Sequence, residues 1–133
     1  MGSLDDLKIL DFSTLLPGPY ATLMLADMGA EVLKISSASR PDIVLDYPPF
    51  IGDTGVSASQ AWLGRNKKTM FLNLKTGEGK AVVKELVKEY DIVLEQFRPG
   101  VMEKLGLGYE DLKAVNPKLI YCCLLYTSDA ADE

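Results

Sequence analysis

An α/β fold with a largely parallel sheet covered by helices is predicted by three features of this sequence. Short apolar runs of strand length alternate with longer segments of helical character, as in β-α-β units. Pro- and Gly-containing turn signals fall between them rather than inside them. The spacing from one strand to the next is too long for hairpins and suits crossover connections between parallel strands.

The elements follow in order. Leu7-Lys8-Ile9-Leu10-Asp11-Phe12 alternates and reads as the first strand, ending at Ser13 and Thr14. Pro17-Gly18-Pro19 is a turn, with Pro19 suited to the first position of a helix. Tyr20 to Met28 is almost wholly apolar and predicts a helix buried on most sides, stopped by Gly29. Glu31 to Ile35 is the second strand, and Ser36 to Ser59, rich in Ser, Pro, Asp and Gly, reads as a long loop. A third strand is expected at Thr69 to Leu74. Thr76 then caps a helix running to about Tyr90, with Val82, Val83, Leu86 and Val87 on its apolar side. Asp91 to Glu95 is a short strand, Pro99-Gly100 a turn, and Val101 to Leu105 a short helix stopped at Gly106. Tyr109 to Val115 is another short helix, and Lys118 to Leu124 the last strand.

Composition narrows the function classes. Of 133 residues, 47% are apolar and 25% charged, which suits a domain with a core rather than a disordered chain. The net charge of −5 repels phosphate backbones, so nucleic acid is not an expected partner. A phosphorylated small ligand would instead need locally concentrated cations. Acids at Asp5 and Asp6 stand where a signal peptide would be basic, and the apolar run Leu15 to Ala26 is too short to span a bilayer. A cytoplasmic protein without a membrane partner is the expectation. The chain holds no histidine, which removes His-based triads and His-based metal sites from it. The adjacent Cys122 and Cys123 should face opposite sides of a strand, so neither a disulfide framework nor a metal site is expected.

Three segments at predicted strand ends can carry ligand chemistry, since open α/β sheets bind there. The first is Thr14-Leu15-Leu16-Pro17-Gly18-Pro19, leading into a helix N-terminus. Its two prolines supply no N–H, and it lacks the Gly spacing of a dinucleotide loop; a plain strand-to-helix turn also explains it. The second is basic: Arg65, Lys67, Lys68 and Lys75 lie within eleven residues, enough for phosphate recognition or for a solvated strand end. The third is Glu95-Gln96-Phe97-Arg98-Pro99-Gly100, where an aromatic, an amide and an arginine can hold a purine, or where Phe97 simply covers the core. Asp11 and Glu95 are a formal carboxylate pair, but strand-end positions alone define no working separation between them. Together the segments indicate an anionic ligand without naming it.

As an ordered set these motifs resemble the CaiB/BaiF family, or CoA-transferase family III, which includes formyl-CoA transferase and α-methylacyl-CoA racemase. The resemblance is carried by Leu7 to Phe12, Pro17-Gly18-Pro19-Tyr20-Ala21-Thr22 and Leu25 to Ile35, then by Asn66-Lys67-Lys68 and Leu72-Asn73-Leu74-Lys75-Thr76 with Gly79. Leu94 to Gly106 and Asn116-Pro117-Lys118-Leu119-Ile120-Tyr121 complete it, over about residues 4–123. It implies a Rossmann-like large domain with helices on both sheet faces, and an interlocked homodimer. It implies that coenzyme A lies along this part of the chain, the substrates being an acyl-CoA and a carboxylic acid. Leu16 and Pro17 would line the turn near the thioester and pantetheine arm, and Leu72 and Lys75 would meet the nucleotide end. Gln96, Phe97 and Arg98 would run beside the CoA, and Lys104 would add a positive contact.

The sequence departs from the family pattern in two places. An Arg that follows the second strand in many members has its counterpart a few residues later, at Arg40. After Cys122 the family continues into a Gly-rich turn and, beyond it, the nucleophilic aspartate of the transferases, or the His and Asp of the racemase. The expectation is therefore that residues 1–124 form the N-terminal part of the CoA-binding domain without a catalytic residue, and that 125–133 are a non-native or disordered tail. The transferase mechanism implied by the family is attack of an enzyme aspartate on the acyl-CoA thioester. The racemase branch, and a non-catalytic nucleotide- or CoA-binding module, are the alternative readings.

Overall fold

A computed structural model describes residues 2–125, and the proposed tail at 125–133 lies, apart from Leu125, outside these residues. Five strands, β1 (Lys8–Asp11), β2 (Glu31–Ser36), β3 (Lys67–Phe71), β4 (Ile92–Glu95) and β5 (Ile120–Cys123), form one sheet in the order β3-β2-β1-β4-β5. Every pairing is parallel, with Ile9 opposite both Val32 and Ile92. Six helices connect them: α1 (Pro17–Asp27), α2 (Ile43–Asp46), α3 (Ala58–Leu63), α4 (Gly77–Val87), α5 (Val101–Lys104) and α6 (Tyr109–Val115).

The period-2 pleat sorts the core onto two faces. Leu10, Leu33 and Val93 pack with Val83 and Val87 of α4, Met102 of α5 and Leu112 of α6. Ile9 and Val32 point the other way, onto Ala26 of α1 and Ala30. Both faces of the central strands are thus covered, as a parallel sheet requires. Full burial of Leu10 and Val93 contributes about 1.5–3 kcal/mol each.

Several boundaries differ from the sequence expectation. The third strand starts at Lys67, two residues before Thr69, and stops at Phe71, because Asn73 turns the chain: its Oδ1 accepts from Lys75 N and its carbonyl accepts from Thr76 Oγ1. The loop Ser36 to Ser59 contains α2 and the start of α3, each begun by a side-chain cap, Asp42 onto Val44 N and Ser57 onto Gln60 N. These caps make helices of segments too short to show a period. The expected Thr76 cap is present, with its Oγ1 accepting from Gly79 N at 3.1 Å. Val82, expected on the buried side of α4, is exposed, while Val83 and Val87 are fully covered.

Helix α1 carries the largest difference. It begins at Pro17 rather than Pro19, and it is not buried on most sides: Tyr20, Met24 and Met28 are each more than two-fifths exposed. They follow Leu16 at intervals of four, so one apolar stripe faces outward. The sheet below offers a second surface only to the opposite side, where Thr22, Leu23 and Ala26 are buried. Gly29, at φ +107, ends the helix as expected.

Candidate functional site

The connection β1-α1-β2 moves one way across the sheet and β3-α4-β4 returns past it, so the order of winding reverses between β1 and β4. Loops leaving the carboxyl ends of neighbouring strands part there, which is where open α/β sheets hold ligands. The chain is bridged at that point by Gln96, whose Nε2 donates to Thr14 O at 2.6 Å. Its Oε1 is buried and has no hydrogen-bond partner among the described residues.

A groove of about 710 Å³ opens beside this bridge. Phe12, Ile35, Leu72, Phe97 and Leu105 make its apolar wall, and Arg40, Lys75 and Arg98 stand on its rim. None of these three cations is in an ion pair among the described residues. An acidic chain therefore presents three uncompensated positive charges around one apolar cleft. That combination suits a ligand with an extended, partly apolar body and phosphate groups.

The sequence-predicted site residues divide accordingly. Leu72, Lys75, Phe97 and Arg98 come together on the groove, although they lie on two segments more than twenty residues apart. Phe97 lines the groove and also packs against the core, the second of the two readings of it. Gln96 sits behind the wall as the bridge to Thr14. Leu16 and Pro17 are exposed at the start of α1, next to the lining residue Leu15 but not in the lining. Lys104 is exposed at the end of α5; Val101 and Leu105, not Lys104, face the groove.

The basic cluster proves to be four separate environments. Lys75 reaches the groove, whereas Arg65 pairs with Asp27 at 2.6 Å and Lys68 with Glu31 at 3.4 Å. Arg65 holds the Asp27 carboxyl below its usual range. Lys67 turns inward under α1, donating to Pro19 O at 2.7 Å and Thr22 Oγ1 at 2.8 Å. Burial lowers its pKa to about 8, against the pull of Asp11, whose Oδ2 lies 3.8 Å away. A smaller cavity of about 350 Å³ is lined by Lys34, Arg65 and Lys67, but each of these already has a carboxylate partner. That cavity carries no net charge from them to offer an anion.

Asp11 and Glu95 do not form a working pair. Pleat parity puts them on opposite faces of the sheet. Asp11 accepts from Ser13 N, Ser13 Oγ and Thr22 Oγ1, while Glu95 accepts from Phe97 N and from Tyr121 OH. Burial first, and then Glu95, raise the Tyr121 phenol well above its usual range. Both acids organise their own strand ends.

One residue, Asp42, and the conformation of another, Leu15, escaped the sequence reading. Asp42 is buried at the edge of the groove, where it accepts from Leu15 N, Val44 N and Lys34 Nζ. The signal that could have shown it was an acid after Pro41 and before the apolar Ile43-Val44-Leu45, a helix-start pattern. Leu15 itself lies at φ +63, a left-handed conformation that no residue-type pattern announces.

Comparison with known proteins decides the family. The model of CoA-transferase family III matches residues 4–125. The chain belongs to CoA-transferase family III. A succinyl-CoA:mesaconate CoA-transferase of Haloarcula marismortui is 44% identical to it over 126 residues, spanning 91% of this chain and 31% of that protein. The human succinyl-CoA:glutarate CoA-transferase is 38% identical over 122 residues, spanning 91% of this chain and 27% of the relative. A CaiB/BaiF family protein from Brucella suis superimposes with a TM-score of 0.84 at 38% identity, over 92% of this chain and 33% of its own. The chain thus spans about a third of the length of the family III proteins it matches.

Proposed function

We propose that this chain supplies the coenzyme-A-binding groove of an enzyme that moves CoA from an acyl-CoA to a carboxylic acid. The observation that carries the reading is the groove at the winding reversal, apolar along its floor and ringed by Arg40, Lys75 and Arg98. CoA has matching parts: phosphates at one end, an uncharged pantetheine arm, and a base that Phe97 can meet face-on. The similar CoA-transferases favour the transferase over the racemase branch. The attacking aspartate expected of the family is assigned outside residues 1–124, so these residues bind and orient the thioester and supply no nucleophile.

Within that reading Lys75, Arg98 and Arg40 neutralise phosphate, Leu72 and Phe97 cover the arm or base, and Gln96 spaces the two strand ends. Leu16, Pro17 and Lys104 remain proposed outer contacts, with Leu16 and Pro17 near the thioester end. The outward stripe of Leu16, Tyr20, Met24 and Met28, extended by Trp62 at 5.9 Å from the Tyr20 ring, supports an interlocked homodimer that covers it. No described helix is long and apolar enough to cross a membrane, which is compatible with the proposed cytoplasmic location.

Calorimetry of the chain with CoA, dephospho-CoA and pantetheine tests the reading. CoA should bind most tightly, dephospho-CoA about tenfold more weakly for one lost charge-assisted contact, and pantetheine weakest. Equal affinity for all three, or no binding of CoA, would remove the groove from the proposal.

A further inference from the structure

Asp42 joins three parts of the chain through one carboxylate. Its carboxylate oxygens lie 3.1 and 3.2 Å from Leu15 N, in the turn after β1. Its Oδ2 is 3.1 Å from Lys34 Nζ on β2, with both side chains nearly excluded from water. Its Oδ1 accepts from Val44 N at 3.2 Å and so starts α2. Asp42 and Leu15 both border the 710 Å³ groove, and Arg40 stands two residues before Asp42 on the same lip.

The geometry needs such a clamp. Leu15 carries a side chain yet sits at φ +63, where the Cβ crowds the backbone and the free chain rarely goes. Thr14, just before it, is held by Gln96 from the other side of the winding reversal. The turn is therefore gripped from β4 through Gln96 and from the post-β2 loop through Asp42. A buried carboxylate accepting a backbone N–H and a lysine is a stiff anchor, because releasing it leaves Lys34 charged, buried and unpaired.

We propose that Asp42 is a positioning residue for the groove: it holds Leu15, on the groove wall, in the left-handed conformation. It touches no ligand in this assignment. Its effect on CoA runs through the turn at Leu15, so the inference rests on the CoA-binding reading above. Loss of the carboxylate lets Leu15 relax to negative φ, which moves the wall.

The first readout needs no ligand. Amide hydrogen exchange by NMR should show Leu15 N–H protected in the wild type. In Asp42→Ala, and less so in the isosteric Asp42→Asn, it should exchange about tenfold faster, while Leu10 and Val93 in the central strands stay protected. Unchanged exchange at Leu15 in both variants overturns the clamp. The second readout is CoA affinity in a double-mutant cycle with Leu15→Gly, since glycine takes φ +63 without the Cβ penalty. Asp42→Ala should weaken CoA binding about tenfold in the wild-type background and less than about twofold in the Leu15→Gly background. An equal loss in both backgrounds overturns the role, because a general destabilisation or an unpaired Lys34 would be indifferent to residue 15. If the wild type fails to bind CoA, the CoA reading falls, and with it the groove-positioning role; the exchange experiment still decides whether Asp42 clamps Leu15.

Discussion

Gln96 Nε2 and the carbonyl of Thr14 meet at 2.6 Å across the boundary between β4 and β1, the place where the winding of the sheet reverses. Strands separated by more than eighty residues are thereby joined by one side chain just beyond their paired backbone. Replacing Gln96 by Ala leaves a part-buried carbonyl without its donor and should cost about 1–3 kcal/mol. Urea denaturation would register it as a lower midpoint with unchanged slope. A midpoint equal to that of the wild type would mean that water replaces the amide without cost.

Arg40, Lys75 and Arg98 have no acidic partners among the described residues, so their fields add over the groove. Lys75→Ala and Arg98→Ala should each raise the Kd for CoA about tenfold or more. Raising ionic strength should weaken wild-type binding, and weaken it less in either variant. The same two substitutions should leave thermal stability within about 0.5 kcal/mol, since neither side chain is tied into the fold.

Burial of Lys67 gives a pH dependence with a definite sign. Its folded pKa, about 8, lies below the ordinary value of 10.5. Between those values the unfolded chain binds more protons at this site than the folded one, so its contribution to stability rises with pH from about 8 upward. Below pH 8 the full penalty for burying the ammonium is present. Tyr90, held near 12 by burial and by Glu31, acts in the opposite direction, but only above about pH 10. Denaturation midpoints of wild type and Lys67→Met compared from pH 7.5 to 9.5 isolate the effect. The wild type should gain stability relative to the variant across that range; parallel curves would contradict the assignment.

Gly18 is placed so that an added Cβ would collide with the side chain of Ser13, the residue that binds Asp11. Gly18→Ala should destabilise by about 1–3 kcal/mol, as overpacking in a closed site does. Here φ is not the obstacle; the space is. Thermal melting would detect the change, and Gly77→Ala, where nothing lies within 4 Å, is the matched control.

Much of the fold was legible from residue pattern. Leu7 to Phe12, Glu31 to Ile35 and Asp91 to Glu95 announced strands because their short apolar runs are dense, and the structure puts all three in the middle of the sheet. Thr76 announced its helix because a cap is a local device. The loop after β2 was opaque for the reverse reason. Helices α2 and α3 are only four and six residues long, and they exist because Asp42 and Ser57 cap them and neighbouring helices pack on them. The outward face of α1 was misread because a continuous apolar run does not say which of its residues the sheet covers.

The candidate site divides along the same line. The residue types at Leu72-Lys75 and Phe97-Arg98 pointed to an anionic ligand at strand ends, and the ordered motifs pointed to family III. Sequence by itself therefore determined the α/β class, the order of its strands and the segments that follow their carboxyl ends. Only tertiary structure decided which cation goes where. Lys67 and Lys68 are adjacent, but the strand pleat sends one beneath α1 to Asp11 and the other to Glu31 at the surface. Lys75, beyond the end of the strand, escapes that alternation and reaches the groove. The Asp42 clamp on Leu15 was equally invisible, because it depends on two loops brought together by the parallel crossover, and neither loop specifies the other in its own residues.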